Sequence, residues 1–277
     1  MYLFLAVMIL LIFLEQRFPA GERAGWKDYF NTTAIFAISI IFMVTTGLGG
    51  AAATLSSWTG GWLGLPQFSP SGAFIVTGLG WFDQSVEVFL IAFFVLFFHD
   101  AWLYFSHRLE HKFSVLWAFH KVHHSEERMN IMTSGRDHFM QTVWRSFFSL
   151  LTIGLFVDLD FKQAADIAGL TNLFLMIWSM FYHSNTRIEL PWLNKILVTP
   201  QVHRIHHSTM PEHQDKNFAD IFPIFDIVGG TYLAPKRGEF PETGLSSGEK
   251  HANLWQALVA PFTSWWQLLR RSSGKEC

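Results

Sequence analysis

Eight histidines fall in three short clusters: His107 and His111; His120, His123 and His124; and His203, His206 and His207. Residues three or four apart share one face of a helix, so each cluster can aim two or three imidazoles in one direction. Imidazole serves iron, zinc and copper alike, and ligand type alone does not choose among them. A catalytic zinc takes three protein ligands and keeps one position open. Eight imidazoles overfill such a site and suit two metal ions, with four nitrogens each plus oxygen. The chain has thirteen histidines and a single cysteine, Cys277, its last residue. That excludes an internal disulfide framework and a thiolate cluster, and leaves nitrogen to bind any metal. His99, His213 and His251 stand outside the clusters and read as ordinary surface or core histidines. Asp100, Glu110, Glu126, Glu127, Asp137 and Asp215 lie near the clusters in sequence. Carboxylates so placed orient imidazoles and offset metal charge, although Glu126 and Glu127 read as solvated charges. Arg108 and Arg136 read as ion-pair partners of carboxylates.

The elements that must position these residues are apolar. Half of the 277 residues are hydrophobic and only 15% are charged, against about a quarter in soluble domains. The shortfall points to a chain that meets lipid, and a net charge of −2 offers no basic surface to nucleic acid. Tyr2–Leu14 is an anchor without the flanks of a removable signal peptide. It falls short of the ~20 residues a span needs, so an interfacial helix is the alternative. Further apolar segments cover 34–55, 85–105, 139–157 and 164–182, the last two joined by a turn at 158–163. The uncharged stretch 56–82, with Trp58, Trp62, Phe68 and Trp81, reads as an interfacial loop. Near the end, Leu254, Leu258, Phe262, Trp265, Trp266 and Leu269 recur at helical spacing before Arg270-Arg271, interrupted at Pro261. That pattern suits an interfacial helix or a packed surface helix.

Lys and Arg concentrate in 15–29, 105–138 and 184–277, so these regions share the cytoplasmic side by the positive-inside rule. The expected fold is an all-α integral membrane protein. Four to five membrane helices carry a cytoplasmic-side helical cap that holds a histidine-rich dimetal site. The expected organisation is an anchor and interfacial loop over 1–84, a catalytic region over 85–235 and a tail with an amphipathic helix over 236–277. A metal site beside lipid-facing spans implies a lipid-like substrate. Breaking an unactivated C–H bond needs a redox metal and dioxygen, which argues for iron. A lipid tail would enter from the bilayer between spans; Phe94, Phe98, Trp102 and Phe105 are candidates to line that route, but in so aromatic a chain each reads first as ordinary helix packing.

The run Asp100, Tyr104, His107-Arg108 and His111, then Leu116-Trp117 and His120-Lys121-Val122-His123-His124-Ser125, resembles the fatty acid hydroxylase/sterol desaturase superfamily. So does Thr199-Pro200 with His203-Arg204 and His206-His207. These match that family's HxxxH, HxxHH and HxxHH boxes. Asn130, Arg136, His138, His183, Asp215, Asn217 and Gly230-Thr231 fall where its bacterial sterol-desaturase-like and alkylglycerol-monooxygenase-like branch tends to have matching residues. The similarity covers roughly 85–235, and the three boxes together are specific where one HxxHH alone is weak. The segment Phe225–Gly230 departs from the family's usual pattern, which bears on local packing.

The resemblance implies a multi-pass, non-haem di-iron oxidoreductase. It would hold two Fe ions (Fe2+/Fe3+) through the eight box histidines, with His183 as a further ligand, His138 as a ligand, a donor to a ligand or a substrate contact, and no catalytic residue beyond the ligands. It would use O2 to hydroxylate or desaturate a lipid: a sterol, a fatty acyl chain, an ether lipid or a relative of these. Electrons would come from a separate electron-transfer protein or reductant, because no cytochrome b5-like segment is seen. The expected location is the bacterial inner membrane in preference to the endoplasmic reticulum. The rival readings are a two-zinc membrane lipid hydrolase that activates water and a metal transporter. A transporter's site belongs near the bilayer midplane, whereas the boxes lie at span ends and beyond.

Overall fold

Glycine and a carboxylate start the first of the long apolar helices. The Asp28 carboxylate accepts the Gly25 N–H at 2.7 Å and caps the helix start, which lets it begin inside a stretch that reads as polar connector. In a computed structural model of the chain, residues 2–48, 80–146, 164–251 and 253–272 are described. The helices are α1 (Tyr2–Arg17), α2 (Trp26–Thr46), α3 (Gly80–Lys112), α4 (Ser114–His124), α5 (139–146), α6 (Ala164–His183), α7 (Pro200–His206), α8 (Ile224–Gly229) and α9 (Leu254–Ser272). Short 3-10 turns cover Ile131–Gly135 and Pro211–His213. Among the described residues the extended pairing is confined to two isolated bridges, Pro19–Thr186 and Ser208–Thr243. The loop expected over 56–82 lies outside the described residues up to 79. The turn expected over 158–163, the greater part of the 139–157 segment, and Cys277 also lie outside them.

Two helices are long and apolar enough to cross a membrane, Trp26–Thr46 and Val88–Lys112. Only 17% and 11% of their apolar windows is buried, so they are not the core helices of a soluble domain. Ile40, Ile41 and Val44 on α2, and Phe89, Phe93, Phe94, Phe98 and Phe105 on α3, are exposed. Such contiguous apolar surface is what lipid contact requires. The second helix starts eight residues before position 34, and α3 runs unbroken past 105 to carry His107 and His111. At ~1.5 Å per residue its 33 residues span about 50 Å. The described residues thus hold two helices of spanning quality where four to five were expected.

The apolar core is split into small clusters around a polar centre. Tyr104, Tyr182, Val198, Val202, Phe218 and Ala219 form one, Leu11, Ile131 and Met180 a second, and Ile35, Val122 and Ala257 a third. Long-range carboxylate latches tie them together. Asp100 accepts the N–H groups of Asp220, Ile221 and Phe222 at 3.0, 3.1 and 2.6 Å. Asp226 accepts those of Phe218 and Ala219 at 2.8 Å each, and the Thr231 hydroxyl at 2.7 Å. Glu15 accepts the N–H groups of Ile131 and Asn185 at 3.1 Å each, and the Tyr29 hydroxyl. These bonds satisfy buried backbone donors in irregular chain and so fix the loops beside the histidines. The Phe225–Gly230 segment packs closely: a Cβ on Gly229 would overlap the Tyr104 hydroxyl. Helix α9 continues through Pro261 without interruption. It packs on α4, with the Trp265 Nε1–H donated to the Val115 carbonyl at 2.9 Å, while Trp255, Trp266 and Leu269 stay exposed.

Candidate metal centre

Four helices deliver nine imidazoles. The end of α3 carries His107 and His111, α4 carries His120, His123 and His124, His183 closes α6, and α7 carries His203 and His206 with His207 at its cap. Thr199 starts α7 by accepting the Val202 N–H at 3.3 Å, and Pro200 occupies its first turn, where a missing N–H is harmless. The rings sort into two adjoining groups. His107, His111, His120, His124 and His206 form one; His123, His183, His203 and His207 form the other. Within each group one ring nitrogen per residue lies within 4.8 Å of every other. Each HxxHH box is divided. His120 and His124, one turn apart, share a group while His123 joins the other; His203 and His207 pair likewise while His206 crosses over.

The nitrogen spacing is that of ligands. Nε2–Nε2 separations are 2.9 Å for His107–His120, 3.0 Å for His120–His124 and 3.2 Å for His111–His124. In the second group they are 3.2 Å for His123–His183, 3.0 Å for His183–His203 and 3.1 Å for His203–His207. Metal–imidazole bonds of ~2.1 Å at right angles put neighbouring nitrogens ~3.0 Å apart, and at tetrahedral angles ~3.4 Å. The edges therefore lie in the range that imidazoles sharing one ion would show, with five nitrogens in one group and four in the other. Nε2 of His206 is buried and has no hydrogen-bond partner among the described residues, as befits an atom whose partner is a cation.

The opposite ring nitrogens are oriented by the protein. Nδ1–H of His107 donates to the Phe218 carbonyl, that of His206 to the Lys216 carbonyl and that of His183 to the Ser179 carbonyl, each at 2.8 Å. Carboxylates stand behind three more: Asp215 at 3.5 Å from His111, Glu110 at 3.5 Å from His120 and Asp137 at 3.4 Å from His123. The Gln141 amide lies 2.8 Å from Nδ1 of His120. The three carbonyls fix the tautomer that bares Nε2 of His107, His183 and His206. Burial, reinforced by neighbouring imidazoles, holds the pKa of His120, His123, His124, His203, His206 and His207 well below the ordinary histidine value. The rings are neutral at physiological pH and can bind a cation without first losing a proton.

A cavity of about 880 Å³ lies between α1, α2, α3 and α6, with Phe4, Met8, Phe36, Leu103 and Trp178 among its mainly apolar walls. A smaller chamber of about 150 Å³ is bounded by His107, His123, His183, His203 and Arg145. The two share Leu103, Ser134, Asp137, Ser179, Tyr182 and Asp220. Three members of the four-histidine group thus line the chamber beside the apolar space, against one of the five-histidine group.

The eight box histidines and His183 come together. His138 does not: its Nδ1 accepts the Met140 N–H and its Nε2 donates to the Leu258 carbonyl, both at 3.2 Å. Its ring packs on Phe119, Phe139 and Phe262. His99 lines the large cavity, while His213 and His251 sit beside Glu239 and Glu249. The four aromatics weighed as a lipid route do not line it. Phe94, Phe98 and Phe105 are 49–52% exposed and none, nor Trp102, lines the cavity; the inward face of α3 is His99, Leu103 and His107. Asp100 holds backbone rather than imidazole. Glu126 is not solvated but buried, 3.3 Å from Arg136, whereas Glu127 pairs with Lys250 at the surface as its exposure demands. Arg108 donates to the Tyr104 hydroxyl at 3.0 Å instead of meeting a carboxylate. Gln141, Arg145, Ser179 and Asp220 were not anticipated. Arg145 carried a signal, a lone charge in an apolar run, and here it binds Glu110 at 2.7 Å beside the centre.

Comparison with known proteins gives a consistent set of relatives. The fatty acid hydroxylase family profile matches residues 92–231, about half of the chain. The chain is 27% identical over 176 residues to alkylglycerol monooxygenase of Caenorhabditis elegans, covering 64% of this chain and 33% of that protein. It is 33% identical over 133 residues to alkylglycerol monooxygenase of Danio rerio, covering 48% and 28%. It is 30% identical over 166 residues to ornithine lipid hydroxylase OlsE of Rhizobium tropici, covering 58% and 47%. The chain therefore spans between about a quarter and a half of the length of these curated relatives. No solved structure matches it.

Proposed function

This chain belongs to the fatty acid hydroxylase family, and from that premise we propose that it is a membrane-bound, non-haem di-iron oxygenase that hydroxylates a C–H bond of a lipid. The observation that carries the reading is the pair of all-nitrogen groups, five and four imidazoles, set beside an apolar cavity. His107, His111, His120, His124 and His206 would hold one iron and His123, His183, His203 and His207 the other. Bound iron would supply reductive activation of O2 and removal of a hydrogen atom from an unreactive carbon, chemistry that imidazole and carboxylate lack.

The remaining work falls to the chain. Carbonyls of Ser179, Lys216 and Phe218 and the carboxylates of Glu110, Asp137 and Asp215 keep the rings turned with Nε2 inward. Leu103 and Tyr182 form the apolar part of the wall between the small chamber and the large cavity. The apolar cavity seats a hydrocarbon chain so that one carbon reaches the four-histidine group. A static hold of this kind is where much of the rate advantage of an oriented site originates. Electrons come from a separate transfer protein or reductant, and the centre lies on the cytoplasmic side of a multi-pass protein of a bacterial inner membrane. Relatives named for alkylglycerols and ornithine lipids support a lipid with a polar head over a bare hydrocarbon. Lipidomics of a host expressing the chain, beside one expressing His123→Ala, tests the reading. A lipid gaining one oxygen only with the intact chain supports it; a loss of two hydrogens assigns desaturation instead. Lipid cleavage by a zinc-only preparation without oxygen or reductant selects a hydrolase.

A further inference from the structure

Asp220 is a carboxylate that neither the fold nor the imidazoles use. Its backbone N–H is held by Asp100 at 3.0 Å, but among the described residues its side chain makes no hydrogen bond or ion pair. Arg145, whose charge it feels, is already bound by Glu110. The side chain lies deep within the protein yet keeps accessible surface, because it faces both the large cavity and the small chamber. Burial pushes its pKa up to about 6, with Arg145 pulling it down and Asp137 and Asp226 pushing it up. It is therefore mainly ionised near neutral pH and an acceptor only. An interior carboxylate without a partner is strongly disfavoured, and expulsion of water by an entering chain would aggravate that, unless the entering molecule brings a donor.

We infer that Asp220 accepts a hydrogen bond from the substrate, from a hydroxyl or amide N–H close to the carbon that is oxidised, and so selects lipids with a polar group beside the reacting C–H bond. The closeness follows from size. Asp220 shares the 150 Å³ chamber with His123, His183 and His203, and a sphere of that volume is only about 7 Å across. With C–C bonds of ~1.5 Å, the donor and the reacting carbon are separated by about four bonds or fewer. The apolar chain then fills the 880 Å³ cavity. Ser179, also on the shared wall, can accept or donate to a second oxygen of the same group. A bare alkane gives Asp220 nothing and leaves it unpaired.

This assignment rests on the lipid-oxygenase reading, and the experiment separates the two. Iron-loaded full-length protein in detergent, held without oxygen so that nothing turns over, is titrated with hexadecane-1,2-diol, its dimethyl ether and hexadecane. Binding is followed by intrinsic tryptophan fluorescence. The intact protein should bind the diol at least about tenfold more tightly than the dimethyl ether, as expected for one hydrogen bond to a charged acceptor. Asp220→Leu should lose that preference while holding hexadecane at least as well, and Asp220→Asn, which keeps one acceptor oxygen, should fall between. Unchanged iron content and melting temperature show that the variants fold. Equal affinity of the intact protein for diol and dimethyl ether, or a preference that survives Asp220→Leu, overturns the assignment. Turnover after oxygen and reductant are restored is scored separately. Preference without any turnover defeats the oxygenase reading and leaves Asp220 in place as a lipid-binding residue; turnover without preference does the reverse.

Discussion

Replacing Asp226 with asparagine should loosen the metal centre from a distance. The carboxylate is buried and accepts three bonds: Oδ1 from the Phe218 N–H at 2.8 Å and the Thr231 hydroxyl at 2.7 Å, Oδ2 from the Ala219 N–H at 2.8 Å. Asparagine keeps one acceptor oxygen, so Phe218 and Thr231 retain their partner while an NH2 group faces the Ala219 N–H. One bond to a charged acceptor is lost, about 1.5–3 kcal/mol, and a buried N–H is left unsatisfied, about 1–3 kcal/mol more. A combined cost of about 3–5 kcal/mol is a large part of the ~5–15 kcal/mol that holds a typical domain. It should lower the melting temperature by about 10 °C. The Phe218 carbonyl receives Nδ1–H of His107, so the five-histidine group should also lose affinity for its ion, about 10–100-fold. Thermal melting of the purified variant and its iron content after dialysis against a chelator measure both. Asp220→Asn is the control, because that side chain makes no bond to lose and should melt within about 1 kcal/mol of the parent. An Asp226→Asn protein that melts with the parent and keeps full iron refutes the latch.

Other consequences follow from the same geometry. His207→Ala and His120→Ala, in different groups, should each reduce bound iron from about two ions per chain to about one, whereas His138→Ala should retain both, read by elemental analysis. Asp137→Asn should weaken metal in the four-histidine group by about 10–100-fold, as loss of an orienting partner does, without changing the other group. Leu103→Trp, at the wall common to both cavities, should cut turnover more than tenfold with iron content unchanged. Burial lowers the folded-state pKa of the six box histidines on α4 and α7 below the unfolded value of ~6.5. The unfolded chain then binds more protons below that pH, so stability of the metal-free protein is highest above it and falls as pH drops through ~6.5. Melting curves from pH 8 to pH 5 should show that decline, and bound iron should raise the whole curve without removing it, because metal-held imidazoles still gain protons only on unfolding.

The candidate ligands were legible because helical spacing is local. His107 and His111, or His120 and His124, share a helix face whatever surrounds them. Their sorting was not legible. Consecutive residues on a helix point ~100° apart, so His123 and His124 serve different groups, and only the packing of α4 against α7 decides which. The two spanning helices were visible in composition, but the start of α2 depends on the Asp28 cap and fell outside the apolar count. The lipid route was not legible for a related reason. Helix α3 is apolar on all sides, so its aromatics carry no stripe to say which face is inward. Glu126 and Arg145 look like solvated or stray charges until Arg136 and Glu110 come beside them. The Asp100 and Glu15 latches join residues more than a hundred positions apart, and no local pattern announces such a pair. His138 and His183 look alike in sequence. A hydrogen bond on both nitrogens removes the first from the centre, and the last turn of α6 delivers the second to it.

The origin of the oxygen in the product separates hydroxylation at an iron centre from hydrolysis. The iron-loaded full chain, supplied with a reductant, a bacterial lipid extract and isotopically labelled dioxygen, should yield a lipid carrying one labelled oxygen, with none incorporated when the label is in water. His123→Ala should yield no such lipid. Product formed without oxygen or reductant, or carrying oxygen only from labelled water, would contradict a lipid-hydroxylating iron centre and point to hydrolysis.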